Sequence, residues 1–316
     1  MDEATSMLGA YVRAGFRKIH LDASMSCADD ASPLSDEIIA QRAAAMCAAA
    51  EDVSRNFKPL YVIGTEVPTP GGATEKLDKL AVTTQESAAQ TLRVHGRIFE
   101  EMGLGHVWPR VIALVVQPGV EFDHTSVVDY EPARAAHLSA LLDREEALVY
   151  EAHSTDYQKP QAYRDLVRGG FAILKVGPAL TFAMREALDA LAQIEAELLP
   201  KEQCSRLPEV IARVMLSEPR NWEHHYMGDE RAVRLLLRYS YSDRVRYYWN
   251  HPEIRRAVEI LLANLGGVTI PETMLSQFLP DQYCAVREGI LQADAHSLIL
   301  HRIRQVLRPY AQACTP

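Results

Sequence analysis

Five short apolar runs in this 316-residue chain end on residues that could do chemistry. KIHLDAS (18 to 24) ends on Asp22 and Ser24, and YVIGTEVP (61 to 68) on Thr65 and Glu66. VIALVVQPG (111 to 119) ends on Gln117, ALVYEAHSTDY (147 to 157) on Glu151, His153, Ser154 and Asp156, and AILKVGPALTF (172 to 182) on Lys175. Carboxylates and a histidine beside one lysine suit a hard divalent cation, or an acid/base pair acting next to a carbonyl. On that reading Glu66 and His153 are the metal-ligand candidates, for zinc or manganese, and Glu151 is the candidate general base. Asp22, Ser24, Gln117, Ser154 and Asp156 are candidates for holding substrate. The plainer reading makes the same polar strand ends hydrogen-bonded plugs.

Lys175 is the cation within a strand, and two readings of it stand side by side. It could form a Schiff base or bind a substrate phosphate, or it could be the partner of a buried carboxylate, Glu151 or Glu66. After it, Gly177 to Thr181 could turn the backbone N–H groups of a helix start toward an anion. A second phosphate-capturing candidate is YSYSDRVRYYW (239 to 249), where Arg244 and Arg246 lie among tyrosines. Its alternative is aromatic core packing, with Asp243 paired to an arginine.

Side chains so far apart in sequence need a scaffold that gathers them. Each apolar run is followed by a helical pattern, and strand, polar tip and helix repeated in register is the signature of a parallel β/α protein. Continuous apolar strands such as VIALVV suit a sheet covered on both faces. Met7, Leu8, Tyr11 and Val12 predict a helix over 2 to 14 stopped by Gly15, and Ser35 caps an Ala-rich helix over 35 to 50. Helices are expected at 85 to 102, 130 to 143 and 160 to 168, with a loop at Gly71 and Gly72. Beyond about 182 the chain reads as helix punctuated by Pro200, Pro208, Pro219, Pro252, Pro271 and Pro280. The expectation is an α/β fold of the (β/α)8 TIM-barrel type, incomplete at about five units. A partial barrel would occupy 1–190 and a helical region 191–316.

Composition narrows the partners. Forty-two acidic against 33 basic residues give a net charge of -9, and no basic block could follow a phosphate backbone, so nucleic acid is not expected. No apolar run is long enough for a membrane span, and the acidic, amphipathic start differs from a secretion signal. Five scattered cysteines form no CxxC pair, which argues against disulfides and structural zinc and points to a reducing, cytoplasmic setting. The GxSxG elbow of serine hydrolases is absent.

At these tips the chain resembles the GatZ/KbaZ family, the Z subunits of class II tagatose-bisphosphate aldolase. The resemblance is carried by GFRKIHLDASMSCADD (15 to 30), YVIGTEVPTPGG (61 to 72), VVQPGVEF (115 to 122), YEAHSTDYQ (150 to 158), LKVGPALTFAMREAL (174 to 188) and YSYSDRVRYYW (239 to 249), and it runs through the whole chain. It implies a (β/α)8 barrel with a helical extension, acting in the breakdown of galactitol or amino sugars through tagatose phosphates. It also implies a non-catalytic subunit that supports the zinc-dependent catalytic Y subunit, with room for a homo-oligomer. Family members carry about three further strand units upstream of the first one matched here. Some relatives bear a tagatose 6-phosphate kinase label, but the sequence contains neither a nucleotide-phosphate loop nor a kinase catalytic loop. The alternative expectation is an enzyme in its own right, a metal-dependent ketose-phosphate aldolase or C4-epimerase.

Overall fold

The computed structural model of the chain describes residues 1–30, 33–65, 80–144 and 147–315. Its first half alternates strands and helices in chain order: α1 (Asp2–Arg13), β1 (Lys18–His20), α2 (Asp36–Val53), β2 (Leu60–Ile63), α3 (Gln85–Glu101) and β3 (Val111–Val116). Two-residue strands β4 (Glu121–Phe122) and β5 (Val127–Val128) then pair with each other as a separate sheet. The alternation resumes with α4 (Pro132–Ser139), β6 (Val149–Ala152), α5 (Pro160–Arg168) and β7 (Ile173–Leu174).

The main sheet is parallel, in the order β1-β2-β3-β6-β7. This strand order never reverses, and right-handed crossovers then lay every connecting helix on one face. Burial follows that geometry. Ile19, Leu21, Tyr61, Ile63, Leu114, Val116, Tyr150 and Ala152 join the helices in one apolar core. Their neighbours Val62, Ala113 and Val115 form a small cluster of their own, with Val149 and Ile173 against it. Strand side chains alternate between faces, so this second set marks the face opposite the helices.

Local signals fix the element ends. Gly15, at φ +96°, ends α1 in a Schellman turn: its N–H donates to Val12 and that of Phe16 to Tyr11, while the Tyr11 and Phe16 rings meet edge to face at 5.2 Å. Ser35 caps α2, its hydroxyl accepting from the Ile38 N–H. The small buried face of α2 (Ala40, Ala43, Ala44, Cys47, Ala50) lets it pack closely between α1 and α3. At the amino ends of β2 and β3, Glu51 receives a two-pronged ion pair from Arg110 (2.7 and 2.8 Å) and the Tyr61 hydroxyl at 2.5 Å.

The chain divides into two compact units. One holds the described residues up to Glu121 together with Val128–Lys175; the other holds Phe122–Val127 and the chain from Val176 on. The expected boundary near 190 thus differs from the observed one at Lys175. The difference is α6 (Pro178–Leu198), whose Ala187, Leu188, Leu191 and Ile194 belong to the helical unit's core. That unit continues with α7 (Leu207–Ser217), α8 (Glu230–Tyr239), α9 (Pro252–Gly266), α10 (Glu272–Phe278), α11 (Pro280–Arg287) and α12 (Ala295–Ala313). Pro178, Pro252 and Pro280 open their helices, where a missing N–H costs nothing. No helix among the described residues is long and apolar enough to cross a membrane.

Candidate functional site

The face of the sheet away from the helices carries a charged cluster centred on Glu151, a residue of β6 with no exposed side-chain surface. Lys18 donates to its Oε2 at 2.7 Å. Around Oε1 stand His153 Nε2 at 2.9 Å, Lys175 Nζ at 3.4 Å and His20 Nδ1 at 3.5 Å. The two imidazoles meet edge to face, with ring centres 5.3 Å apart. His20 Nε2 is buried and has no hydrogen-bond partner among the described residues.

Strand periodicity explains who is present. Lys18 and His20 alternate with the helix-facing Ile19 and Leu21, and Glu151 and His153 alternate with Ala152. The tips hold the cluster from behind. Lys175 donates its N–H to the Ala152 carbonyl, and the Thr155 hydroxyl donates to the Lys175 carbonyl. Directly after His153, Ser154 takes a left-handed backbone at φ 52°, as does Tyr157 at φ 64°. Non-glycine residues hold such a conformation only where their surroundings enforce it. Gln158 supplies part of that enforcement, bridging the Tyr130 N–H and the Val128 carbonyl from a buried position.

Charge at the cluster is strongly biased. Burial alone would raise the Glu151 carboxyl, but hydrogen bonds from His153 and Lys18 and the charge of Lys175 outweigh it and hold the group at about 2. Burial, reinforced by Lys175 and His153, lowers His20 to about 4 against the pull of Glu151. Near neutral pH the site therefore presents a fixed carboxylate and a neutral His20. A carboxylate this acidic is a weak general base and a good ligand or orienter.

Of the residues singled out in the sequence, Glu151, His153 and Lys175 come together here. Asp22 follows β1 at the surface, where its carboxylate accepts from the Ser24 hydroxyl at 3.0 Å and contributes to the field at His20. Gln117 turns its side-chain carbonyl back to the N–H groups of Gly119 and Val120. Asp156 is buried beside the strained turn. Glu66, with Gly71 and Gly72, lies outside the described residues. Lys18 and His20 were not singled out. The alternation of Lys18, His20 and Asp22 against Ile19, Leu21 and Ala23 was the signal that could have found them.

Gly177, Thr181, Arg244 and Arg246 belong to the helical unit. There the Thr181 hydroxyl donates to Asp243 Oδ2 at 2.6 Å, and Arg185 Nε donates to Asp243 Oδ1 at 3.2 Å. Arg244 is buried against the Tyr247 ring, while Arg246 bonds the Ser242 carbonyl and the Tyr247 hydroxyl. A cavity of about 700 Å³ in the same unit is walled by Ile211, Leu216 and Leu237, with Arg185, Asp189 and Arg238. It contains none of the residues whose types suggested chemistry.

Comparison with known proteins places this geometry in a family. The chain is similar to a crystal structure described as a probable tagatose 6 phosphate kinase from Sinorhizobium meliloti 1021, at 48% identity and a TM-score of 0.89 over 99% of this chain and 78% of that one. The sequence model of a family of D-tagatose-1,6-bisphosphate aldolase subunits matches residues 1–315. With essentially its whole length matched, the chain belongs to the GatZ/KbaZ-like family.

Proposed function

We propose that the chain serves as a Z-type subunit of a D-tagatose-1,6-bisphosphate aldolase, supporting the activity and stability of a catalytic class II Y subunit in carbohydrate breakdown. The family match over residues 1–315 carries this reading. In keeping with it, the sequential parallel sheet has the strand order that part of a (β/α)8 barrel would have. The test is reconstitution. The chain is added to a purified Y subunit, and cleavage of tagatose 1,6-bisphosphate and the partner's thermal inactivation are followed. Faster cleavage and slower inactivation are expected; no change in either would overturn the proposal.

The cluster around Glu151 favours a second reading, in which the chain acts on a ketose phosphate by itself. Two lysines and two histidines around one carboxylate could hold the phosphate and hydroxyl oxygens of such a substrate. Aldol cleavage or C4 epimerisation by the chain alone, lost in Glu151→Gln, would favour this reading over pure support. The kinase description of the relative supplies a further arm, ADP release from ATP and tagatose 6-phosphate. Neither a nucleotide-phosphate loop nor a kinase catalytic loop in the sequence supports that activity.

A further inference from the structure

We infer that His20, Glu151 and His153 form a binding site for one first-row divalent cation, on the face of the sheet opposite the helices. Each residue offers one ligand atom, and these atoms lie within 4.8 Å of one another. Two of the separations, 2.9 Å from Glu151 Oε1 to His153 Nε2 and 3.5 Å to His20 Nδ1, are already close to those between neighbouring ligands at metal–ligand bonds of about 2.0–2.2 Å. Two imidazoles and one carboxylate make a set that suits iron, manganese or zinc and leaves coordination positions open for substrate oxygens.

The seating of the His20 ring is a second observation: its Nδ1 is turned to Glu151 Oε1 at 3.5 Å. A metal bound by this imidazole would supply a reason for the ring to be held there, edge to face with His153. The backbone points the same way. His153 is followed immediately by the left-handed Ser154, and strained residues concentrate where a neighbouring side chain must be aimed.

Lys18 and Lys175 oppose the ion. Each ammonium on Glu151 would lie near a dication, and like charges at such distances repel even in a well-screened site. Both side chains are about two-fifths exposed, at 39% and 42%, so both can swing into solvent or onto an anion. Metal and Lys175 therefore compete for Glu151 Oε1. A phosphate-bearing substrate that draws the lysines away would strengthen metal binding. Removing the charge of Lys175 should do the same without substrate.

The inference goes beyond the aldolase-subunit proposal and is independent of it, because its readout is bound metal and not turnover. The full chain is stripped with chelator and titrated with Zn²⁺, Mn²⁺ and Co²⁺, following heat and the visible absorption of Co²⁺. One equivalent is expected, weakened at least about tenfold in both His20→Gln and His153→Gln and tightened in Lys175→Met. Circular dichroism checks that each variant is folded. If the histidine variants fail to fold, the Lys175→Met arm decides. Trace binding only, binding that survives either histidine substitution, or unchanged affinity in Lys175→Met would each overturn the site.

Discussion

Lys18 and Glu151 lie 133 residues apart in the chain and 2.7 Å apart in the fold. They belong to β1 and β6, which are separated in the sheet by β2 and β3. Three strand spacings of about 4.8 Å would hold those backbones roughly 14 Å apart in a flat sheet. The Lys18–Glu151 pair and the His20–Glu151 contact at 3.5 Å close that gap because the sheet curls toward the side away from its helices. The curl thus produces both the half-barrel and the charged cluster.

Replacing Glu151 with Gln should leave Lys18 and Lys175 without their shared counter-charge. Because the two ammoniums reach water, the expected loss is about 1–3 kcal/mol, below that of a fully buried ion pair. Urea unfolding checks it. A double-mutant cycle with Lys18→Met should show a coupling of about 1 kcal/mol, and a cycle that closes additively would mean that the pair contributes nothing.

Gly64 follows β2 at the point where the sheet turns toward its tips. A Cβ there would stand 2.7 Å from the Val115 Cβ, closer than side chains tolerate. Gly64→Ala should cost about 1–3 kcal/mol by overpacking β2 against β3. Adding Val115→Ala does not relieve it, because Cβ meets Cβ. A double variant as stable as Val115→Ala alone would show that the strands simply move apart.

Glu51 governs acid stability at the amino ends of the strands. Burial would raise its carboxyl, but hydrogen bonds from Arg110 and Tyr61 win and lower it. The folded group thus ionises more readily than the unfolded one, whose value is about 4.3. Its contribution is fully present above that value and is lost as pH falls through the folded one. The stability gap between the wild type and Glu51→Gln should be widest near neutral pH and should shrink toward pH 3. Urea midpoints across that range measure it, and a constant gap would remove the carboxylate from the acid transition.

The sequence made the scaffold readable because local physics fixes it. Gly15 could end α1 only with a positive φ, Ser35 had its capping N–H three residues on, and prolines open α6, α9 and α11. The site was half readable. Glu151, His153 and Lys175 stood out as polar residues at apolar strand ends, while Lys18 and His20 were hidden inside a strand whose other residues are core. Their relevance depends on the curl of the sheet, a long-range property that periodicity does not encode. Thr181 was expected near an anion, but its hydroxyl is engaged by Asp243, a partner 62 residues away that no local pattern announces.

That partner gives the final prediction. Asp243 is buried in the left-handed conformation at φ 42° and takes hydrogen bonds from Thr181 and Arg185. Asparagine tolerates this backbone nearly as well as aspartate, and its carbonyl can still accept one of the two hydrogen bonds. Alanine does neither. Asp243→Asn should therefore destabilise the chain through weakened pairing with Arg185, which keeps Asp189 at 3.3 Å as a second partner. Asp243→Ala should cost about 1–2 kcal/mol more, because alanine strains the left-handed backbone and takes away both side-chain acceptors, leaving the Thr181 hydroxyl only the Pro178 carbonyl at 3.2 Å. Denaturant midpoints of the two variants separate these contributions. Equal losses would show that the carboxylate charge, and not the turn it sits in, holds this part of the helical unit together.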